Sequence, residues 1–186
     1  MTAAPTCGIV VLGIGSLIHG DDGLGVHAIE LLRRDPRIPE GVRLIDGGTS
    51  SLELLVDISD STHLLLLDAV DVGEAPGALI RMGGKELKGL PGAASVHQIG
   101  LADLLATLPL VSTRPREIVL LGVQPLTTDW GTSLSTKVNA AMRLLVDAVV
   151  QQLHVWTEEP LAAPLACCER EPLSRRRCDF CDERNA

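Results

Sequence analysis

Aromatic residues are nearly missing from this chain of 186 residues, which has no tyrosine, one phenylalanine and two tryptophans. The stacking platforms that usually hold single-stranded nucleic acids are therefore lacking. Positive charge is also short. Lys and Arg number 16 against 24 Asp and Glu, for a formal net charge of −8, a balance that opposes nucleic acid and anionic membrane surfaces as partners. No apolar run approaches the roughly 20 residues that span a bilayer. Met1 to Cys7 carry no positive residue ahead of an apolar stretch, so neither a membrane span nor an export signal is expected. Of five cysteines, Cys167, Cys168, Cys178 and Cys181 crowd the carboxyl terminus, which is not the layout of a disulfide framework. A reducing, cytoplasmic setting fits these absences.

What the chain does have is core-forming material. Hydrophobic residues make up 46% and charged residues only 22%, the composition of a folded globule. At this length one domain buries roughly 70% of its unfolded surface without staples. The expected domain covers residues 1–158. Residues 159–186 read as a flexible tail with three prolines and the run Arg175-Arg176-Arg177; within it residues 160–186 hold five charges of each sign, so residues 1–159 carry the whole net charge. Cys167-Cys168 and Cys178-Asp-Phe-Cys181 have a spacing compatible with zinc, although free thiols on an unstructured extension are the plainer reading.

Within the body, strand-like and helix-like segments alternate. Residues 7–14 form an apolar, β-branched run bounded by glycine, and Leu64-Leu65-Leu66-Leu67 within 63–68 form another, both in the style of strands buried on two faces. Segments 42–46, 78–82 and 117–122 are further strand candidates. Helical periodicity is found over 24–32, 51–58, 99–108 and 134–156, the last with Leu134, Val138, Ala141, Leu144/Leu145, Ala148 and Leu153 on one face. Ser95-Val-His-Gln98 has capping-box spacing, which sets His97 in the first turn of the third helix. Such alternation predicts a parallel or mostly parallel sheet.

Ligands of open α/β sheets bind beyond the carboxyl ends of the strands, and three acidic sites fall there. Asp21-Asp22 follows the first strand, Asp46 ends the second before Gly47-Gly48, and Asp68 ends the third. With neighbouring strands these carboxylates converge on one rim, and His97 can close over it. Two carboxylates and an imidazole form an incomplete ligand set for nickel, zinc, manganese or iron. Each residue also has a plainer role: Asp22 as a helix cap, Asp46 as a turn former, His97 as a polar first-turn residue. Asp68 fits a plain role least well, since an ionised group ending a buried leucine run needs pairing or ligation. The remaining histidines read as surface or packing residues. A dinucleotide site, suggested by Gly13-Ile-Gly15 after the first strand, fails because Ile18 stands at the third glycine and Asp21-Asp22 would oppose a pyrophosphate.

Four segments together carry a resemblance: Leu12-Gly-Ile-Gly-Ser-Leu-Ile-His-Gly-Asp-Asp-Gly-Leu-Gly-Val26, Asp46-Gly-Gly-Thr49, Leu67-Asp68-Ala69 and His97-Gln-Ile-Gly-Leu-Ala-Asp103. In this order they resemble the [NiFe]-hydrogenase maturation endopeptidases over about residues 8–155, with Ser16 where asparagine is commoner. The resemblance implies a three-layer α/β fold of the phosphorylase/hydrolase-like kind, a twisted, mostly parallel five-stranded sheet flanked by helices. It implies an aspartic-type endopeptidase that removes the C-terminal peptide of the hydrogenase large-subunit precursor after nickel insertion. It further implies that Asp22, Asp68 and His97 sense nickel supplied by the substrate, for which another divalent metal can substitute. Asp46, the spare carboxylate by topology, is the candidate general base, with carbonyl polarisation by the metal as the other route. The competing expectation is a nickel chaperone or docking module that binds the loaded precursor without cutting it.

Overall fold

The computed structural model describes residues 8–50, 52–83, 86–89, 96–111 and 115–158; Cys7, Ser95 and the expected tail, with its four cysteines, lie outside them. The central strands β1 (Ile9–Ile14) and β3 (His63–Ala69) are buried along their whole length. They run parallel to each other, β2 (Arg43–Gly48) runs parallel to β1, and β5 (Glu117–Val123) runs parallel to β3. At the edge, β4 (Leu79–Gly83) is antiparallel to β5, giving the order β2-β1-β3-β5-β4. Only residues 70–78 separate β3 from β4, too few for a helical crossover, so the chain enters β4 from the end where β3 leaves and runs back. That is the physical reason the sheet is mostly, not wholly, parallel.

Helices cover both faces. On one, α1 (Leu24–Leu32) and α4 (Thr136–Glu158) pack Ile29, Leu32, Val138, Leu145 and Val149 against Val11, Leu65 and Leu121. On the other, the single turn α2 (Leu55–Ile58) and α3 (Val96–Val111) bring Ile58, Leu104 and Leu108 onto Leu12, Leu64 and Leu66. The alternation along β3 therefore divides its four leucines between two cores, each buried leucine contributing roughly 1.5–3 kcal/mol. Along α4 the pair Leu144/Leu145, left open by periodicity, is resolved. Leu144 is exposed and Leu145 buried; the inward face recurs at Val138, Ala141/Met142, Leu145/Val146, Val149/Val150, Leu153 and Trp156, a stripe at helical spacing that leaves Leu144 to one side. Among the described residues no helix is long and apolar enough to cross a membrane.

Candidate functional site

The first loop is built on close backbone approach. Gly15 has φ +129°, and a Cβ there would lie 1.8 Å from the Asp22 carbonyl oxygen. A Cβ on Gly25 would lie 2.3 Å from the carbonyl oxygens of both Ile14 and Leu67. Only glycine allows the chain to fold back this tightly. The 3-10 turn Gly20–Gly23 and the start of α1 are thus laid directly over the carboxyl ends of β1 and β3. The glycines that mimic a dinucleotide fingerprint serve this packing.

Folding back delivers Asp22 to Asp68. Both side chains are buried, with 4% and 2% of their surfaces exposed. An Asp22 carboxylate oxygen accepts the Ser16 N–H at 2.9 Å, closing the loop on itself. The helix-cap role is not taken: the residue capping α1 is Gly23, with no side-chain cap. Asp68 is held well above the usual carboxylate range, first by burial and then by the negative charge of Asp22, while the Ala69 N–H opposes the shift. No lysine or arginine forms an ion pair with Asp68 among the described residues. A like-charged group facing a buried acid is an arrangement that a cation relieves.

Asp21, one residue earlier, does something different. Its buried carboxylate accepts the N–H groups of Leu126 (2.9 Å), Thr127 (3.2 Å) and Ser135 (2.6 Å). It therefore staples the loop after β5 beneath the first loop. Sequence reasoning missed this role because the three partners lie 105 to 114 residues away and donate from the backbone, leaving no side-chain signature. Gln124 frames the same edge, accepting from the N–H groups of Val72 and Glu74 and donating to Asp71.

Asp46 is exposed, and its carboxylate accepts the Gly48 N–H at 3.0 Å, making the turn through Gly47-Gly48. Strand alternation puts it on the face of Leu44, which packs with the α1 and α4 core, whereas Asp68 shares the face of Leu64 and Leu66. The three carboxylates end adjacent strands, yet only Asp22 and Asp68 come together.

His97 is the second residue of α3, whose face of the sheet is that of Asp68. The end of α3 at Val111 is six residues from the start of β5, which ties that end of the helix to the amino edge of the sheet. Sixteen helical residues span about 24 Å and seven strand residues about 23 Å, so the helix is long enough for its first turn to reach the level of the rim. The His97 side chain lies outside the described residues. Among those described, no group of three or more His, Cys, Asp or Glu is arranged to hold a metal ion.

A family model described as hydrogenase maturation protease matches residues 26–152, a span that includes Asp46, Asp68 and His97 and begins just after Asp22. The chain is 42% identical over 137 residues to the hydrogenase expression/formation protein HupM of Azotobacter chroococcum mcd 1, covering 72% of this chain and 66% of that protein. It is 36% identical to the hydrogenase expression/formation protein HupD of Bradyrhizobium diazoefficiens, over 87% of each. Among solved structures it is similar to the hydrogenase maturating endopeptidase HybD from E. coli, with a TM-score of 0.75 and 32% identity over 79% of this chain and 92% of that one.

Proposed function

The chain belongs to the hydrogenase maturation protease family, and from that premise we propose that it cuts the C-terminal peptide from a [NiFe]-hydrogenase large-subunit precursor after nickel insertion. In this reading the nickel arrives as part of the substrate. Asp22, Asp68 and His97 supply the ligands it still lacks, and the grip of those ligands positions the scissile bond. The observation that carries the proposal is the buried pair of Asp22 and Asp68, two carboxylates held against each other with Asp68 biased toward its protonated form. A precursor without metal offers nothing to offset their repulsion, whereas a divalent cation displaces the proton and turns the repulsion into attraction. Engagement of the acid pair, and with it cleavage, is thereby conditional on loading.

The donor set of two carboxylate oxygens and an imidazole suits nickel among the divalent transition metals and does not exclude zinc, manganese or iron. Hydrolysis itself needs water added to the peptide carbonyl and a proton delivered to the departing amine. Asp46 is assigned as the base that activates this water. Its place near the carboxyl end of β2, on the α1 side, separates the tasks: one pair grips the cation while a second carboxylate works on the bond beyond it. A cytoplasmic site of action follows from the same reading.

The deciding experiment incubates the protein with nickel-loaded and nickel-free precursor side by side and weighs the products by mass spectrometry. Only the loaded precursor should shorten. A stable complex with a full-length loaded precursor would instead identify a docking module, and equal cutting of both forms would reject metal-gated recognition. Asp46→Asn should lower the rate of shortening at least a hundredfold; an undiminished rate would remove Asp46 from the role of base.

A further inference from the structure

The loops after β1 and β5 are fused into one ledge beside Asp22. The Gly131 N–H donates to the Ile18 carbonyl (3.0 Å), and the Gly20 N–H donates to the Gly131 carbonyl (2.8 Å). On this seam the Trp130 ring lies against the His19 ring, centroids 4.6 Å apart, and His19 Nδ1 is 3.0 Å from the Ser16 hydroxyl. Asp21 anchors the ledge from below. Trp130, its ring against that of His19, is 79% exposed, and Leu17, Ile18 and Leu126 on the same two loops are 45%, 49% and 53% exposed.

Charge is missing from the same surface. Between Gly8 and Ile29 the only Asp, Glu, Lys or Arg residues are Asp21 and Asp22, both buried, and between Ile118 and Leu134 the only one is Asp129. Depletion of charge around a fixed, exposed tryptophan is the composition of an interface centre. A ring that is already ordered also loses little entropy on binding.

We infer that the Leu17, Ile18, Leu126 and Trp130 ledge docks an apolar, uncharged face of the large-subunit precursor, the face adjoining the segment that enters between Asp22 and Asp68. This rests on the reading above. The precursor is the occupant because the ledge and the docking pair are one loop: Leu17 and Ile18 stand between Ser16 and Asp22, which the bond from the Ser16 N–H to the Asp22 carboxylate draws together. A polypeptide that engages Asp22 is thereby brought beside the ledge. The contact is independent of metal, so it captures the precursor before the acids test it for nickel.

The test labels the protein with 5-fluorotryptophan. Its two tryptophans, one exposed and one buried in the core, give two fluorine resonances. Unlabelled precursor, nickel-free or loaded, should shift the Trp130 resonance and leave that of Trp156 in place. In parallel, Trp130→Ala should raise KM for the loaded precursor roughly tenfold or more with kcat within about twofold. Leu144→Ala, equally apolar and exposed on α4, should change neither. Shortening of the loaded precursor by Trp130→Ala at wild-type KM would overturn the ledge and leave the maturation reading intact. A Trp130 shift without any shortening would support the ledge while the maturation reading fails. A Trp130 resonance that responds to the protein's own concentration and not to precursor would overturn the proposal in favour of self-association.

Discussion

The two ends of the sheet handle buried polar groups in opposite ways. At the amino end, His63 is buried with its ring 5.0 Å from that of Trp156, and its Nδ1 shares a 3.0 Å hydrogen bond with the Thr62 hydroxyl. The Trp156 indole N–H donates to Glu117 at 2.7 Å, and Glu117 in turn faces Arg81. Neutral donors meet acceptors, and charges of opposite sign lie near each other. At the carboxyl end, Asp68 is buried against another acid. The difference teaches where folding is an end in itself and where it prepares for a ligand: one end is satisfied within the chain, the other is held in a conflict that something outside must resolve.

Removing the conflict should therefore cost function rather than stability. Asp68→Ala, or His97→Ala, is expected to reduce precursor processing at least a thousandfold while circular dichroism and thermal melting report a folded protein. Processing at wild-type rate by either variant would break the comparison at its centre. Asp21→Ala sharpens it from the other side, because Asp21 is a satisfied acid at the unsatisfied end. Depriving three N–H groups of their carboxylate acceptor should cost about 3 kcal/mol in urea unfolding. A loss below about 0.5 kcal/mol would mean that the staple does not hold the β5 loop.

At the amino end, Trp156→Phe keeps the ring contact with His63 and deletes the donor to Glu117. It should destabilise the fold by about 1 kcal/mol without altering processing, and a processing defect there would show that the two ends are coupled. The smallest effect concerns pH in the absence of metal. Asp68 keeps its proton to higher pH in the folded state than in the unfolded chain. Its contribution is thus fully present below the ordinary carboxylate range and is lost as pH rises through the elevated value. Asp68→Asn should remove this loss, so its melting temperature should exceed that of the wild type by more at pH 8 than at pH 4, measured with chelator present. A constant difference across that range would mean that Asp68 is not raised.

Much of this was legible before any coordinates. Leu64 to Leu67 announced a strand buried on both faces, and residues 78–82 were a strand candidate soon after it. Asp68 stood out because a carboxylate that closes four leucines has no ordinary reason to be there. Asp21 and Asp22 were harder, since adjacent identical residues at one turn offer no chemical distinction; the fold sends one to the β5 loop and the other to Asp68. Leu144 and Leu145 posed the same difficulty on α4. Trp130 carried a weak signal, an aromatic in a chain almost without them, but its exposure depends on a loop seam closed by backbone bonds, which leave no trace in residue type.

Local order and periodicity, then, are written in the sequence: where strands and helices lie, which strands are two-faced, and that acids cluster at strand ends. Those follow from interactions between near neighbours, which hydrophobic spacing, glycine and proline encode directly. Which acid meets which, and on which side of the sheet, was decided only in three dimensions. There the glycine-lined fold-back at Gly15 and Gly25 brings Asp22 over β3, while the two-residue repeat of the strands turns Asp46 to the opposite face.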